Sequence, residues 1–152
     1  MKNVIVKATL LAGLVAGMAG VAWAQSAADI VAQRQAGFKA IGAATGEVKK
    51  VIDAGGDLTT VSAKASEISA FAKQMPALFP VGSGPESGAK TRALPAIWEN
   101  KTDFDASAGM LGREADKLEM ALKANDKAAT ATAFAAMTGQ CGNCHRPYRA
   151  PQ

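Results

Sequence analysis

Two cysteines three apart with a histidine directly after the second, Cys141-Gly142-Asn143-Cys144-His145, are the residues here best suited to chemistry. Thiols at this spacing can add across the vinyl groups of a haem to form thioethers, and the adjacent imidazole can become an axial iron ligand. On a helix the three side chains fall at i, i+3 and i+4, so they can face one bound ring. The chain contains no other cysteine and no other histidine. A structural zinc site asks for four Cys or His ligands, and only three exist. A thioredoxin-like CxxC belongs near a βαβ pattern, which is absent, and a disulfide between i and i+3 of a helix is geometrically awkward. One covalently attached haem c is the reading that survives, with Cys141 and Cys144 holding it and His145 as the metal ligand.

The position of the motif restricts the second axial ligand. Class I cytochromes c carry the motif near the N-terminus and take a methionine from downstream, but only seven residues follow His145 and none is Met. A second histidine is excluded by count. An upstream thioether would have to come from Met75, Met110, Met120 or Met137. Met137, four before Cys141, belongs beside the ring rather than over the iron. Met75 sits at a helix end before Pro76, and Met110 and Met120 lie off the apolar seam of their helix. As a group they read as packing residues.

These residues must be positioned by helices, because the chain is Ala-rich and shows no sustained period-2 stretch. The first helix spans about Ala27 to Ala54 and stops at Gly55-Gly56. Its seam steps through Val31, Arg34, Phe38, Ile41, Thr45, Val48 and Ile52. Asp57 or Thr59 caps a second helix with its seam on Val61, Ala65, Ile68, Ala72 and Met75, ending near Leu78 before Pro80 and Gly82-Ser83-Gly84-Pro85. A loop of about twenty residues, Phe79 to Trp98, follows, a length that is often functional. The third helix starts near Thr102-Asp103 with Phe104, Ala108, Leu111, Ala115, Leu118 and Leu122 on one face. Asn125 or Asp126 caps the fourth, which carries the haem motif. This pattern predicts an all-α, antiparallel up-and-down four-helix bundle with a long loop between helices 2 and 3. Arg34 is anomalous on an apolar seam, since a buried cation without a partner costs several kcal/mol. Haem propionates would supply a bidentate partner, and the alternative is that Arg34 snorkels out at the bundle's end.

The N-terminus bears on the compartment. Lys2 and Lys7 precede an apolar run from Ala8 to about Val21, and Ala22-Trp23-Ala24 is a small-x-small cleavage site. Residues 1–24 read as a secretory signal peptide and residues 25–152 as one domain; the run is short and Gly/Ala-rich for a membrane anchor. Export to the periplasm agrees with haem c attachment, and no stable membrane insertion is expected after cleavage. Removing residues 1–24 leaves 15 of 17 basic residues against 13 acidic ones, about +2. Neither a basic run nor aromatic interleaving supports nucleic-acid binding.

Arg34-Gln35 through Phe38-Lys39, then Leu78-Phe79-Pro80, then Leu94-Pro95-Ala96-Ile97-Trp98, then Cys141 to Arg149 resemble cytochrome c prime, the class II cytochromes c. By that resemblance Phe38 matches the position over the open iron face. Low-spin relatives, the cytochromes c-556, carry methionine there; phenylalanine cannot ligate iron, so five-coordinate, high-spin haem is implied. The resemblance also places Arg34 and Gln35 at the propionates, with Thr91 more loosely, and Arg149 near the proximal face. Pro147 departs from a simple transfer of Arg149, since it removes a backbone donor and can end the helix early. A homodimer through the first two helices is a family expectation, and Ala32, Ala36, Ala40 and Ala43 would permit close approach.

No nucleophile–base pair, paired-carboxylate motif or phosphate loop stands out, so an enzyme is not expected. Two functions remain: electron transfer with periplasmic redox proteins, or binding of nitric oxide and CO at the open site. The alternative ligation is a six-coordinate carrier of the c-556 type with an upstream Met ligand.

Overall fold

The computed structural model describes residues 25–151; residues 1–24, the segment expected from sequence to be a signal peptide, lie outside the described residues. Helix α1 runs Ala27–Ala54. Ser26 and Asp29 close a capping box at its start, and Gly55 ends it in the left-handed conformation, φ 64°. Asp57 accepts from the Thr59 amide and begins a 3-10 turn over Leu58–Val61, so the second helix is entered through a tight turn; α2 itself is Ser62–Gln74. A second 3-10 turn, Met75–Leu78, carries the chain to the loop. That loop is not featureless: it contains a 3-10 turn at Pro85–Ser87 and ends in a one-turn helix, α3, Ala96–Glu99. Helix α4 is Lys101–Lys123 and α5 is Lys127–Tyr148. Asp126 caps α5 through the Ala129 amide. Asn125 takes the other job: at φ 51° it turns the chain after α4, and its Oδ1 accepts from Leu58 N at 3.0 Å.

Helices α1, α2, α4 and α5 form the four-helix bundle that the periodicity predicts. Helix α2 packs on both α1 and α4, and α4 packs on α5, while α1 and α5 hardly touch. The fourth side of the bundle is therefore open. The core runs up the α2–α4 seam through Ile68, Ala72, Phe104, Leu111, Leu118 and Leu122. Among the described residues no helix is long and apolar enough to cross a membrane.

One core position works against the rest. Thr130 is fully buried near the start of α5, and its Oγ1 has no hydrogen-bond partner among the described residues. A buried hydroxyl left unpaired costs about 1–3 kcal/mol relative to one that is satisfied. Thr130→Val keeps the shape and removes the orphan, so it is expected to raise stability by about 1 kcal/mol. A higher urea midpoint at unchanged m-value checks this; a lower midpoint would mean that the hydroxyl has a partner.

Candidate haem site

The open side of the bundle is a cavity of about 440 Å³ between α1 and α5. A volume of that order suits a cofactor-sized ligand. Helix α5 contributes Cys141, Cys144 and His145 to one wall, as the i, i+3, i+4 spacing requires. Both thiols are free and half-buried, and burial pushes both up from the usual thiol range, so they stand protonated. His145 is pushed the other way, first by burial and then by the Arg149 and Arg92 guanidiniums. Its imidazole is thus held neutral, the form that binds a metal.

Helix α5 does not stop at Pro147. It continues to Tyr148, and Arg149 N reaches His145 O at 3.1 Å as the C-cap. A proline in the last turn removes only one i→i−4 donor there, so the helix survives it. Arg149 consequently lines the cavity rather than being thrown clear of it.

Across the cavity α1 presents Phe38, Ile41 and Thr45. Phe38 is wedged edge-on between two other rings, Phe71 with centroids 5.1 Å apart and Phe79 at 6.4 Å. The chain of edge contacts continues through Phe104 to Tyr148. Gly37 makes the first contact possible: a Cβ there would stand 2.0 Å from the Phe71 ring.

Arg34 does not snorkel. It is 2% exposed and lies over the Phe79 ring at 4.5 Å. Its Nη1 donates to Ser83 Oγ at 3.1 Å, and its Nη2 donates to Ser83 O at 2.7 Å and Thr91 Oγ1 at 2.9 Å. Burial lowers its pKa, with the Glu86 carboxylate acting in the opposite direction. Gln35 donates from Nε2 to Lys90 O at 2.9 Å. The 79–95 loop is thereby tied to α1. Its other end is tied to α5, through a bridge between Ala93 and Arg149 and through Arg92, whose guanidinium and carbonyl both engage Ala150. The loop is a strap across the two helices that otherwise stand apart.

All eight residues singled out from sequence border this one cavity: Arg34, Gln35, Phe38, Thr91, Cys141, Cys144, His145 and Arg149. Sequence reasoning missed Ser83, which fixes Arg34, and Arg92, which sits beside His145. It also treated the four methionines as one group. Met75 and Met137 are buried and form part of the cavity wall, whereas Met110 and Met120 are 44% and 64% exposed and lie outside it.

The donor set fits a c-type haem: two free thiols and a neutral imidazole on one helix face, apolar walls, and guanidiniums at the mouth for carboxylates. Such a haem would be held by Cys141 and Cys144, with His145 binding its iron.

The family model for Cytochrome C' matches residues 29–149. The chain belongs to the cytochrome c' family. Among curated proteins, a cytochrome c-556 of Agrobacterium fabrum is 40% identical, over 81% of this chain and 82% of that one. A cytochrome c' of Rhodopseudomonas palustris is 35% identical, over 92% of this chain and 93% of the other. The crystal structure of cytochrome c' from Thermochromatium tepidum superposes with a TM-score of 0.77 at 30% identity, covering 84% of this chain and 98% of that one. The family implies c-type haem binding, which is what the cavity suits. Its relatives carry both the c' and the c-556 names, so the second axial ligand has to be argued from this chain's own residues.

Proposed function

We propose that this protein carries one haem c with five-coordinate, high-spin iron in the periplasm, where it transfers electrons and binds nitric oxide and CO at the vacant axial position. The observation that carries the reading is the wall facing α5. There α1 offers Phe38, Ile41 and Thr45, none of which ligates haem iron through a thioether or imidazole. A bound haem supplies a redox-active iron; the chain supplies its attachment, one ligand and the surroundings.

Those surroundings also favour some gases over others. Thr45 Oγ1 donates to Ile41 O at 2.8 Å, and Ser107 Oγ donates to Asp103 O at 2.9 Å. The hydroxyl protons of these two lining residues are thus committed to helix carbonyls. Bound O₂ needs a hydrogen-bond donor to persist, whereas NO needs little such help. We expect NO to shift the haem absorption bands, CO to bind the ferrous form, and O₂ to give no stable adduct. An NO titration without a band shift would overturn gas binding.

Met75 and Met137 in the wall support the rival, six-coordinate reading of the c-556 type. Met137 stands on α5 one turn before Cys141, and Met75 is clamped in the core at the end of α2, which is why we assign both to packing. Met75→Leu and Met137→Leu are expected to leave the visible and EPR spectra unchanged. Conversion of a low-spin wild-type spectrum to high spin by either variant would establish that methionine as the ligand. Ala32, Ala36, Ala40 and Ala43 are all exposed along α1, so the expected dimer would bring α1 helices close; light scattering checks its mass.

A further inference from the structure

The rim of the cavity between α1 and α5 is tied shut at one end only. Of the residues that line the cavity, Gln35, Gly42 and Arg149 are the exposed ones. Gln35 and Arg149 are held by the strap: Gln35 donates to Lys90 O, and Arg149 bridges to Ala93. Gly42 lies seven residues beyond Gln35 on α1, about 10 Å along the helix axis. It is therefore past both residues, Arg34 and Gln35, that bind α1 to the strap. Because α1 and α5 hardly touch, helix packing does not close this end either.

A glycine at this place needs a reason. It sits inside a helix of 28 residues, and glycine is the poorest helix former after proline. The backbone does not require it, since Gly42 is not among the glycines of positive φ. Protein packing does not require it: a Cβ there would meet no protein atom within 4 Å, whereas one at Gly37 would stand 2.0 Å from the Phe71 ring. Ala40 and Ala43, its exposed neighbours, show that alanine suits this surface. What the absent side chain provides is clearance between solvent and cavity. Phe38 and Thr45, at i−4 and i+3, stand above and below Gly42 on the helix and line the same cavity. Thr45 Oγ1 is committed to Ile41 O at 2.8 Å, so it offers a passing molecule no free hydroxyl proton.

We propose that Gly42 is the entry gate for diatomic gases, the opening through which CO and NO pass from solvent to the iron face beside Phe38. This rests on the five-coordinate reading above and goes beyond it by assigning the route and the residue that sets its width. A gate governs rates and not affinity. Narrowing it raises the barrier to entry and to exit alike, and the balance between bound and free gas is untouched.

The test is flash photolysis of CO on the ferrous holoprotein, with CO dissociation followed separately by displacement with NO. Gly42→Leu is expected to slow CO association roughly tenfold and CO dissociation by the same factor, leaving Kd and the absorption spectrum unchanged. Gly42→Ala should slow CO less, and should slow ethyl isocyanide, a larger ligand for the same iron, more than it slows CO. Gly46→Leu is the control. It lies one turn further along α1, outside the cavity lining, and should leave both rates alone. Leucine is a better helix former than glycine, so neither leucine variant should melt below wild type. Rates in Gly42→Leu equal to those of wild type would overturn the proposal. Slower association without slower dissociation would overturn it as well, because that pattern reports crowding at the iron or a displaced haem and not a narrowed path. A wild-type ferrous protein that binds no CO would instead overturn the open-site reading, and this inference with it.

Discussion

Phe38→Met is expected to convert the haem from high spin to low spin. The side chain at 38 lines the cavity from the wall opposite His145, and on the five-coordinate reading proposed above a methionine there brings a flexible thioether to the iron from the side away from His145. The structural cost is modest. Phe38 loses its edge contacts with Phe71 and Phe79, but phenylalanine and methionine are close in volume, and such swaps cost about 1.5 kcal/mol or less. The functional cost is large. A gas must then displace the thioether, so apparent affinity falls by the fraction of molecules with the site open. If the thioether is bound in about 99% of molecules, CO affinity drops about a hundredfold. Phe38→Leu is the control, because it opens the same space without a ligand atom and should stay high spin. A Phe38→Met protein that remains high spin, with CO affinity like that of Phe38→Leu, would remove position 38 from the axial side of the iron. A wild-type spectrum already low spin would remove the open site.

Why Phe38 was legible in the sequence, and Ser83 was not, follows from the range of the forces involved. Phe38 sits on a 3-4 seam with Val31, Ile41 and Val48, and a seam reports burial through local periodicity alone. The bounds of α1 were equally legible, because a capping box and a left-handed glycine act within four residues of the ends they fix. Cys141, Cys144 and His145 needed only helical spacing. The partner of Arg34 is different: Ser83 and Thr91 are 49 and 57 residues away, on a loop whose composition says only that it is not a helix. Burial of Arg34 was readable, but what satisfies it depends on how the strap folds back. The methionines fail for a related reason. Helical period separates Met137 from Met110 and Met120, yet it does not say that one side of the bundle is open and that core residues become cavity wall there.

Arg34→Ala carries the second large effect, on stability and on the strap together. The guanidinium makes three hydrogen bonds to the loop and stacks on Phe79. At about 1 kcal/mol for each bond and for the stacking, less what is regained by no longer burying a cation, the loss should be about 2–4 kcal/mol. Lysine should not rescue it, because a single ammonium cannot span Ser83 and Thr91 as the planar fork does. Ser83→Ala should cost about 1 kcal/mol, and the double variant should cost less than the two singles added, since the residues share their bonds. The strap also joins α1 to the end of α5 through the Ala93–Arg149 bridge. Freeing its α1 end should therefore speed hydrogen exchange at Leu94 and Ala150, whose amides donate to Tyr148 and Arg92 carbonyls, and leave the α2–α4 seam protected. Denaturant melts and exchange rates on the haem-loaded variants measure both halves. An Arg34→Lys protein as stable as wild type would show that charge alone matters. Exchange quickened throughout the bundle would show that Arg34 supports the core and not the strap.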